Sequence, residues 1–198
     1  MFRMSDLADT NESMLGRWGR WYRGVKKPRP YGDTTTYKLA ADWLKDCETI
    51  QDWGSGLGWF RRFVPESKYT AIDGTKNPFV DKVADLCEYH SSVGGIMMRH
   101  VLEHNYDWRK ILTNAMGSFS KKFCLIIFTP FSDETHEIAH NRKHNVDVPD
   151  IAFRKEDIEE YFKGLKWRTE SLKTRTGYGV EHIYYINKSN YPLTTGKL

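Results

Sequence analysis

Cysteine is scarce in this chain. The three present, Cys47, Cys87 and Cys124, are odd in number, far apart and mostly set in apolar runs such as Phe123-Cys124-Leu125-Ile126-Ile127-Phe128. That argues against a disulfide scaffold and for reduced core thiols. Long apolar runs are missing too, and none approaches the roughly 20 residues that a membrane-crossing helix needs. The opening residues, Met1-Phe2-Arg3-Met4-Ser5-Asp6, lack the apolar stretch of a secretory signal, so a cytoplasmic protein is expected. Internal repeats and low-complexity tracts are absent. Net charge is also small, with 30 basic residues against 26 acidic ones leaving +4.

What is present describes a globular α/β protein. A length of 198 residues suits one well-buried core, and 39% hydrophobic with 28% charged residues excludes general disorder. Seven Trp, eleven Tyr and ten Phe supply bulky core and pocket walls. The small charge is unevenly placed. Arg3, Arg17, Arg20, Arg23, Lys26, Lys27 and Arg29 stand against Asp6, Asp9 and Glu12, so residues 1–31 carry the whole excess of +4. A basic arm beside a neutral body suits an anionic partner, although a solvated helix face gives the same pattern.

Periodicity divides the chain into alternating elements. Leu15, Trp18, Trp21, Tyr22 and Val25 recur at helical spacing between Ser5 and Val25, interrupted by Gly16, Gly19 and Gly24. Residues 26–32 form a proline-rich linker. Thr34-Thr35-Thr36 reads as the cap of a helix carrying Tyr37, Leu39, Ala40, Trp43 and Leu44. Strands are expected at 49–53, 69–73, 83–86, 95–101 and 122–129, with helices at 59–64 and 106–120. Beyond Thr129 a polar loop of about twenty residues is expected, then a helix over 154–163. Two last strands, 167–174 and 181–187, read as an antiparallel hairpin at the sheet edge. Strand–helix alternation with apolar, non-alternating strands predicts a Rossmann-like, doubly wound, mostly parallel seven-stranded sheet with this hairpin at its C-terminal end.

Chemistry concentrates in one stretch, Thr49-Ile50-Gln51-Asp52-Trp53-Gly54-Ser55-Gly56-Leu57-Gly58. A strand running into an acid and three alternating glycines is how a nucleotide pocket is built, because glycine lets the backbone turn sharply and approach a ligand. Alone the pattern also fits an ordinary turn. Asp52, Asp73 and Asp85 fall at successive strand ends, hence along one sheet edge, and Asp73 lies 21 residues past Asp52, the usual gap to a ribose-binding carboxylate.

With Asp52-Trp53-Gly54-Ser55-Gly56-Leu57-Gly58, Ala71-Ile72-Asp73, Ala84-Asp85-Leu86 and His100-Val101-Leu102-Glu103-His104 in this order, the chain resembles the class I S-adenosylmethionine-dependent methyltransferases over roughly residues 45–188. The last piece looks like the small-molecule and sugar branch of that family. The resemblance implies S-adenosylmethionine as cofactor. Asp52, Trp53, Gly54, Ser55, Gly56 and Gly58 would then cradle the methionine part, Asp73 with Gly74 the ribose, and Asp85 with Leu86 the adenine, with Arg99 joining the cofactor site. Trp53 departs from the medium aliphatic residue usual there, which would rearrange the pocket floor. Residues 1–44 have no identified family counterpart; they are expected to form a helical cap on the domain of residues 45–198, with Trp18, Tyr31 and Tyr37 lining the acceptor site.

Methyl transfer to a hydroxyl needs positioning and removal of a proton. His100 and His104 flank the fourth strand's end, either imidazole has a suitable intrinsic pKa, and Glu103 could orient it. The alternative is that one histidine merely hydrogen-bonds a helix start.

His136-Glu137-Ile138-Ala139-His140 competes as a His-Glu-x-x-His zinc-peptidase motif, which needs one helix face and a third ligand. The obvious third ligand, His144, would lie about 12 Å along a continuous helix from His136, too far to share one ion. A metal-free polar lid over the acceptor pocket, bearing His136 and His140, is the better expectation. The leading reading is methyl transfer to a small-molecule or glycan acceptor, at oxygen. A nucleic-acid acceptor held by Arg17, Arg20, Arg23, Lys26 and Lys27 with Trp18 or Trp21 stacking is a second, disfavoured because no Asn-Pro-Pro-Tyr-like motif follows the fourth strand. A non-catalytic cofactor-binding partner subunit is a third.

Overall fold

The computed structural model describes residues 18, 21, 22, 24–142 and 146–188. Most of the expected N-terminal helix, with Leu15, Arg17, Arg20 and Arg23, lies outside the described residues, as does His144.

Strands β1 (Ile50–Trp53), β2 (Tyr69–Asp73), β4 (Val93–Arg99) and β5 (Phe119–Ile127) alternate which side chains face each side, yet both sides are apolar. Ile96 and Met98 of β4 join Phe123, Leu125 and Ile127 of β5 on one face, where helix α2 (Trp108–Ser118) buries Trp108, Ile111, Leu112 and Ala115. Met97, Cys124 and Ile126 point to the other, where α1 (Thr35–Leu44) buries Tyr37, Ala40, Ala41 and Leu44. A strand covered on both sides has no polar face to alternate with, which is why these read as continuous apolar runs.

With β3 (Lys82–Val83), β8 (Lys166–Lys173) and β9 (Val180–Asn187), these strands form a seven-stranded sheet in the order β3-β2-β1-β4-β5-β9-β8. The five strands from β3 to β5 are parallel, and β9 runs antiparallel to both β5 and β8. The expected hairpin is present, with β8 at the edge and β9 inserted against β5. Chain order reverses between β1 and β4, so their carboxyl ends open the crevice in which such sheets bind ligands.

Several expectations need correction. The polar loop after Thr129 instead contains a second, two-stranded antiparallel sheet, β6 (His136–Asn141) with β7 (Val148–Ala152). β6 exposes His136, Glu137, Ala139 and His140, so it has no buried face to create a readable period. The third strand is only Lys82–Val83, and Ala84-Asp85-Leu86 turns away from the sheet. Residues Trp59–Phe63 wind as a 3₁₀ turn, and the helix expected over 154–163 is α3 (Lys155–Glu159) followed by a 3₁₀ turn, Glu160–Phe162. At the start of α1 the expected threonine cap is replaced by Asp33, whose Oδ1 accepts from the N–H of Thr35 at 2.8 Å.

Candidate active site

Gly54, Gly56 and Gly58 all adopt left-handed backbone angles, φ 75°, 53° and 66°, which only glycine takes without strain. The loop folds back on β2, where the N–H groups of Gly54 and Ser55 both donate to the Ile72 carbonyl, at 2.8 and 3.0 Å. Asp73 locks it. Its Oδ2 accepts from Gly56 N–H and its Oδ1 from Thr75 N–H, both at 2.8 Å, so one carboxylate joins the loops after β1 and β2.

A methyl group at Gly54 would stand 2.3 Å from Val101 Cγ2. Gly54→Ala is therefore expected to lower stability by about 2–4 kcal/mol through combined backbone strain and overpacking. Urea denaturation checks this, and Val101→Ala in the same chain should recover part of the loss; an unchanged midpoint for the single variant would refute the packing.

Below the loop, Asp52 and Asp73 are buried and neither forms an ion pair among the described residues. Burial pushes Asp52 up to about 7, although Tyr69 donates its hydroxyl proton to Oδ2 at 2.7 Å, and pushes Asp73 up to about 6. Ser55 Oγ is buried there without a hydrogen-bond partner among the described residues. Arg99 and Arg61 act on Asp52 without forming an ion pair, and a ligand that supplies positive charge would offset the remaining cost of two desolvated carboxylates.

Asp52, Gly54, Ser55, Gly56 and Asp73 line a cavity of about 770 Å³ that also takes in Gly74, Asp85 and Leu86. Asp85 Oδ1 accepts from Cys87 N–H at 2.9 Å, fixing the turn after β3. Four residues expected in the site stand differently. Trp53 is fully buried in the core, its indole N–H donating to Gln51 Oε1 at 2.9 Å and its ring against Tyr89, so the pocket floor is not built on it. Gly58 and His136 do not line the cavity. Arg99 does, but its guanidinium is engaged within the protein. It donates to Thr36 Oγ1 (3.0 Å), Tyr37 Oη (3.0 Å) and the carbonyls of Tyr31 (2.9 Å) and Asp33 (3.2 Å), and pairs with buried Glu181 at 2.7 Å. It straps residues 31–37 across the sheet end. Tyr31 lines the cavity and approaches Gly56, and Tyr37 lies under the Arg99 guanidinium.

The two histidines separate in role. His100 sits at φ 56°, and its Nε2–H donates to Glu181 Oε1 at 2.7 Å. Burial, then the charges of Arg99 and His104, holds it well below the usual histidine pKa. His104 donates Nδ1–H to the Pro149 carbonyl at 2.9 Å, with Asp150 Oδ1 3.2 Å away. Burial opposes its charge, but Asp150 and Glu103 outweigh it and the pKa is raised. Because the carbonyl can only accept, Nε2 is the nitrogen left to take a proton. Tyr178 completes a relay, donating its hydroxyl proton to Asp150 Oδ2 at 2.9 Å. Glu103, expected to orient an imidazole, hydrogen-bonds neither; its Oε1 accepts from Phe128 N–H at 2.6 Å, and burial lifts its pKa to about 7.

Asp150, Tyr178 and Glu181 were not read from sequence. They arrive from β7, the β8–β9 turn and β9, and no local motif marks them. Trp18 stands 5.6 Å from the His104 ring; Trp18 stacks on Tyr22 and Trp21 on Tyr31, with the two indoles edge to face, all lining the cavity. The His-Glu-x-x-His segment is strand β6, not the helix a zinc site of that type needs. His140 lies between Glu137 (2.7 Å) and Asp147, with both ring nitrogens engaged, and lines the cavity.

Strand order, the glycine loop and the acids at the strand ends define the Rossmann-like fold of the class I methyltransferases. No protein-family model matches the sequence, and no curated protein matches it significantly. Solved structures do. The chain is similar to 1,6-didemethyltoxoflavin-N1-methyltransferase of Burkholderia thailandensis, solved with 1,6-didemethyltoxoflavin and S-adenosylhomocysteine (TM-score 0.66, 16% identity, 96% of this chain and 92% of that one). It is also similar to magnesium protoporphyrin IX methyltransferase of Synechocystis PCC 6803 with bound S-adenosylhomocysteine (TM-score 0.59, 14% identity, 94% and 100%).

Proposed function

We propose that this protein is an S-adenosylmethionine-dependent methyltransferase acting on a small-molecule or glycan acceptor at oxygen, with His104 as general base. The observation that carries the reading is one cavity with two chemically distinct ends. At one end a left-handed glycine loop is locked by Asp73, which with Asp52 is buried and forms no ion pair among the described residues; at the other His104 is held by Pro149 and Asp150. The first end suits a cationic ligand, and Ser55 Oγ offers it a further polar contact. The fold neighbours, solved with S-adenosylhomocysteine, support that ligand's identity.

When bound, S-adenosylmethionine supplies an activated methyl group on a sulfonium. The chain's own work is to position and to deprotonate. Asp73 and the glycine loop fix the cofactor end, Trp18 and Tyr31 wall the space above it, and His104 Nε2 accepts the acceptor's hydroxyl proton while Asp150 stabilises the resulting imidazolium. His100 donates to Glu181 and stays neutral, so it positions the sheet end rather than carrying charge.

The buried acids give a test. Folding raises Asp52 to about 7 and Asp73 to about 6, so the folded protein holds more protons than the unfolded chain and stability falls as pH rises from about 4 to 7. A cationic ligand favours their ionised forms and reverses this. Calorimetric titration with S-adenosylmethionine in buffers of different ionisation enthalpy should show net proton release between pH 5 and 7 and tighter binding as pH rises through that window. Failure to bind S-adenosylmethionine at any pH would sink the reading.

A further inference from the structure

The cavity is electrically lopsided. Its floor holds Asp52 and Asp73, whereas its rim carries Arg175 and Arg142. Arg142 is exposed and 3.7 Å from Asp147, a carboxylate already shared with His140. Arg175 makes no hydrogen bond or ion pair among the described residues. The acid that feels its charge, Asp33, accepts from the N–H of Thr35.

Arg175 is nevertheless carried on a built platform. In the turn between β8 and β9, Thr174 N–H donates to the Gly179 carbonyl (3.1 Å), Gly179 N–H to the Thr176 carbonyl (3.0 Å), and Thr176 Oγ1 to the Val180 carbonyl (3.0 Å). Thr176 also packs so closely on Gly32 that a methyl group there would stand 3.0 Å from its Cγ2. The same turn presents Tyr178 to Asp150, so the backbone that carries the exposed Arg175 side chain is tied to the brace of the base.

We propose that the acceptor carries an anionic group, a carboxylate or a phosphate, and that Arg175 grips this group at the cavity mouth while the nucleophilic hydroxyl reaches His104. The inference rests on the methyltransferase reading above and deepens it. An anion is repelled by the acidic floor and drawn to the rim, so the charge layout alone turns such an acceptor with its hydroxyl inward. The guanidinium fork binds either oxyanion with two parallel hydrogen bonds, and the aromatic wall of Trp18, Tyr31 and Tyr178 accommodates the body between the two ends.

The test is ligand-observed NMR on the full chain with 4-hydroxybenzoate, 4-hydroxyphenyl phosphate and the neutral 4-hydroxybenzamide, with and without S-adenosylhomocysteine. At least one anionic probe should bind about tenfold tighter than the amide, and the tighter of the two distinguishes carboxylate from phosphate. Arg175→Gln should abolish the preference without changing S-adenosylhomocysteine affinity, and Arg175→Lys should keep part of it. Equal binding of charged and neutral probes, no anion binding, or an unaltered Arg175→Gln profile overturns the inference. If S-adenosylhomocysteine binds and the anion preference is absent, only this inference falls. If the preference is present and S-adenosylhomocysteine does not bind, the cofactor reading falls instead.

Discussion

His104→Ala should lower kcat by about 10²–10⁴-fold, the usual contribution of a positioned general base, while S-adenosylhomocysteine affinity stays within about twofold. The variant removes Nε2, the nitrogen left to accept a proton once Nδ1–H is committed to Pro149, and leaves the glycine loop untouched. A merely structural histidine would change stability or cofactor binding more than turnover. Asp150→Asn separates these possibilities further. Burial alone would lower the His104 pKa, and it is the Asp150 and Glu103 carboxylates that raise it. Without the Asp150 charge the pKa falls, so the acidic limb of the kcat–pH profile should move to lower pH, with a smaller drop in plateau rate. His100→Ala, by contrast, should cost mainly stability, since His100 already donates to Glu181. Equal turnover losses for His100→Ala and His104→Ala would refute this division.

The second large effect is expected at Asp73. Asp73→Ala should weaken S-adenosylmethionine binding by more than about 100-fold, on the order of 3 kcal/mol. Its carboxylate is the acceptor for Gly56 N–H and Thr75 N–H, and removing it leaves both buried donors unmade at about 1–3 kcal/mol each. Part of that loss is offset, because a desolvated carboxylate is itself removed. The net result should be modest destabilisation with a collapsed cofactor site. Asp73→Asn keeps one acceptor oxygen but no charge, and should fold well yet bind the cation poorly and release fewer protons on binding. Calorimetry beside urea denaturation reads both quantities; a dissociation constant for Asp73→Ala within threefold of the parent would exclude the role.

How much of this was visible in the sequence depended on whether the signal was local. Strands β1, β2, β4 and β5 and helix α2 could be read because residues a few positions apart decide whether a strand is buried on both faces; β3, two exposed residues, could not be bounded that way. The glycine loop was legible for the same reason. β6 was not, since an exposed strand of His136, Glu137 and His140 is polar on both sides and owes its form to pairing with β7. For the proposed base the sequence offered two histidines without separating them. Their different surroundings come from Asp150 and Glu181, brought in from β7 and β9 by tertiary contact, and no spacing rule joins these to residues 100 and 104. Trp53 misled for a related reason: it follows Asp52 in sequence, yet alternation along β1 sends it into the opposite face of the sheet.

The insertion of β9 between β5 and β8 sets the order in which the chain can be completed during synthesis. β5 is among the most apolar strands, and its second edge has no partner until Val180–Asn187 has been made. Until then the nascent sheet presents an unpaired, hydrophobic edge, the kind of surface on which chains pair with one another rather than with themselves. The final pairing also closes a long loop, which is slow. Glu181 comes with that same strand, so the partner that anchors Arg99 and His100 arrives only when the vulnerable edge is sealed.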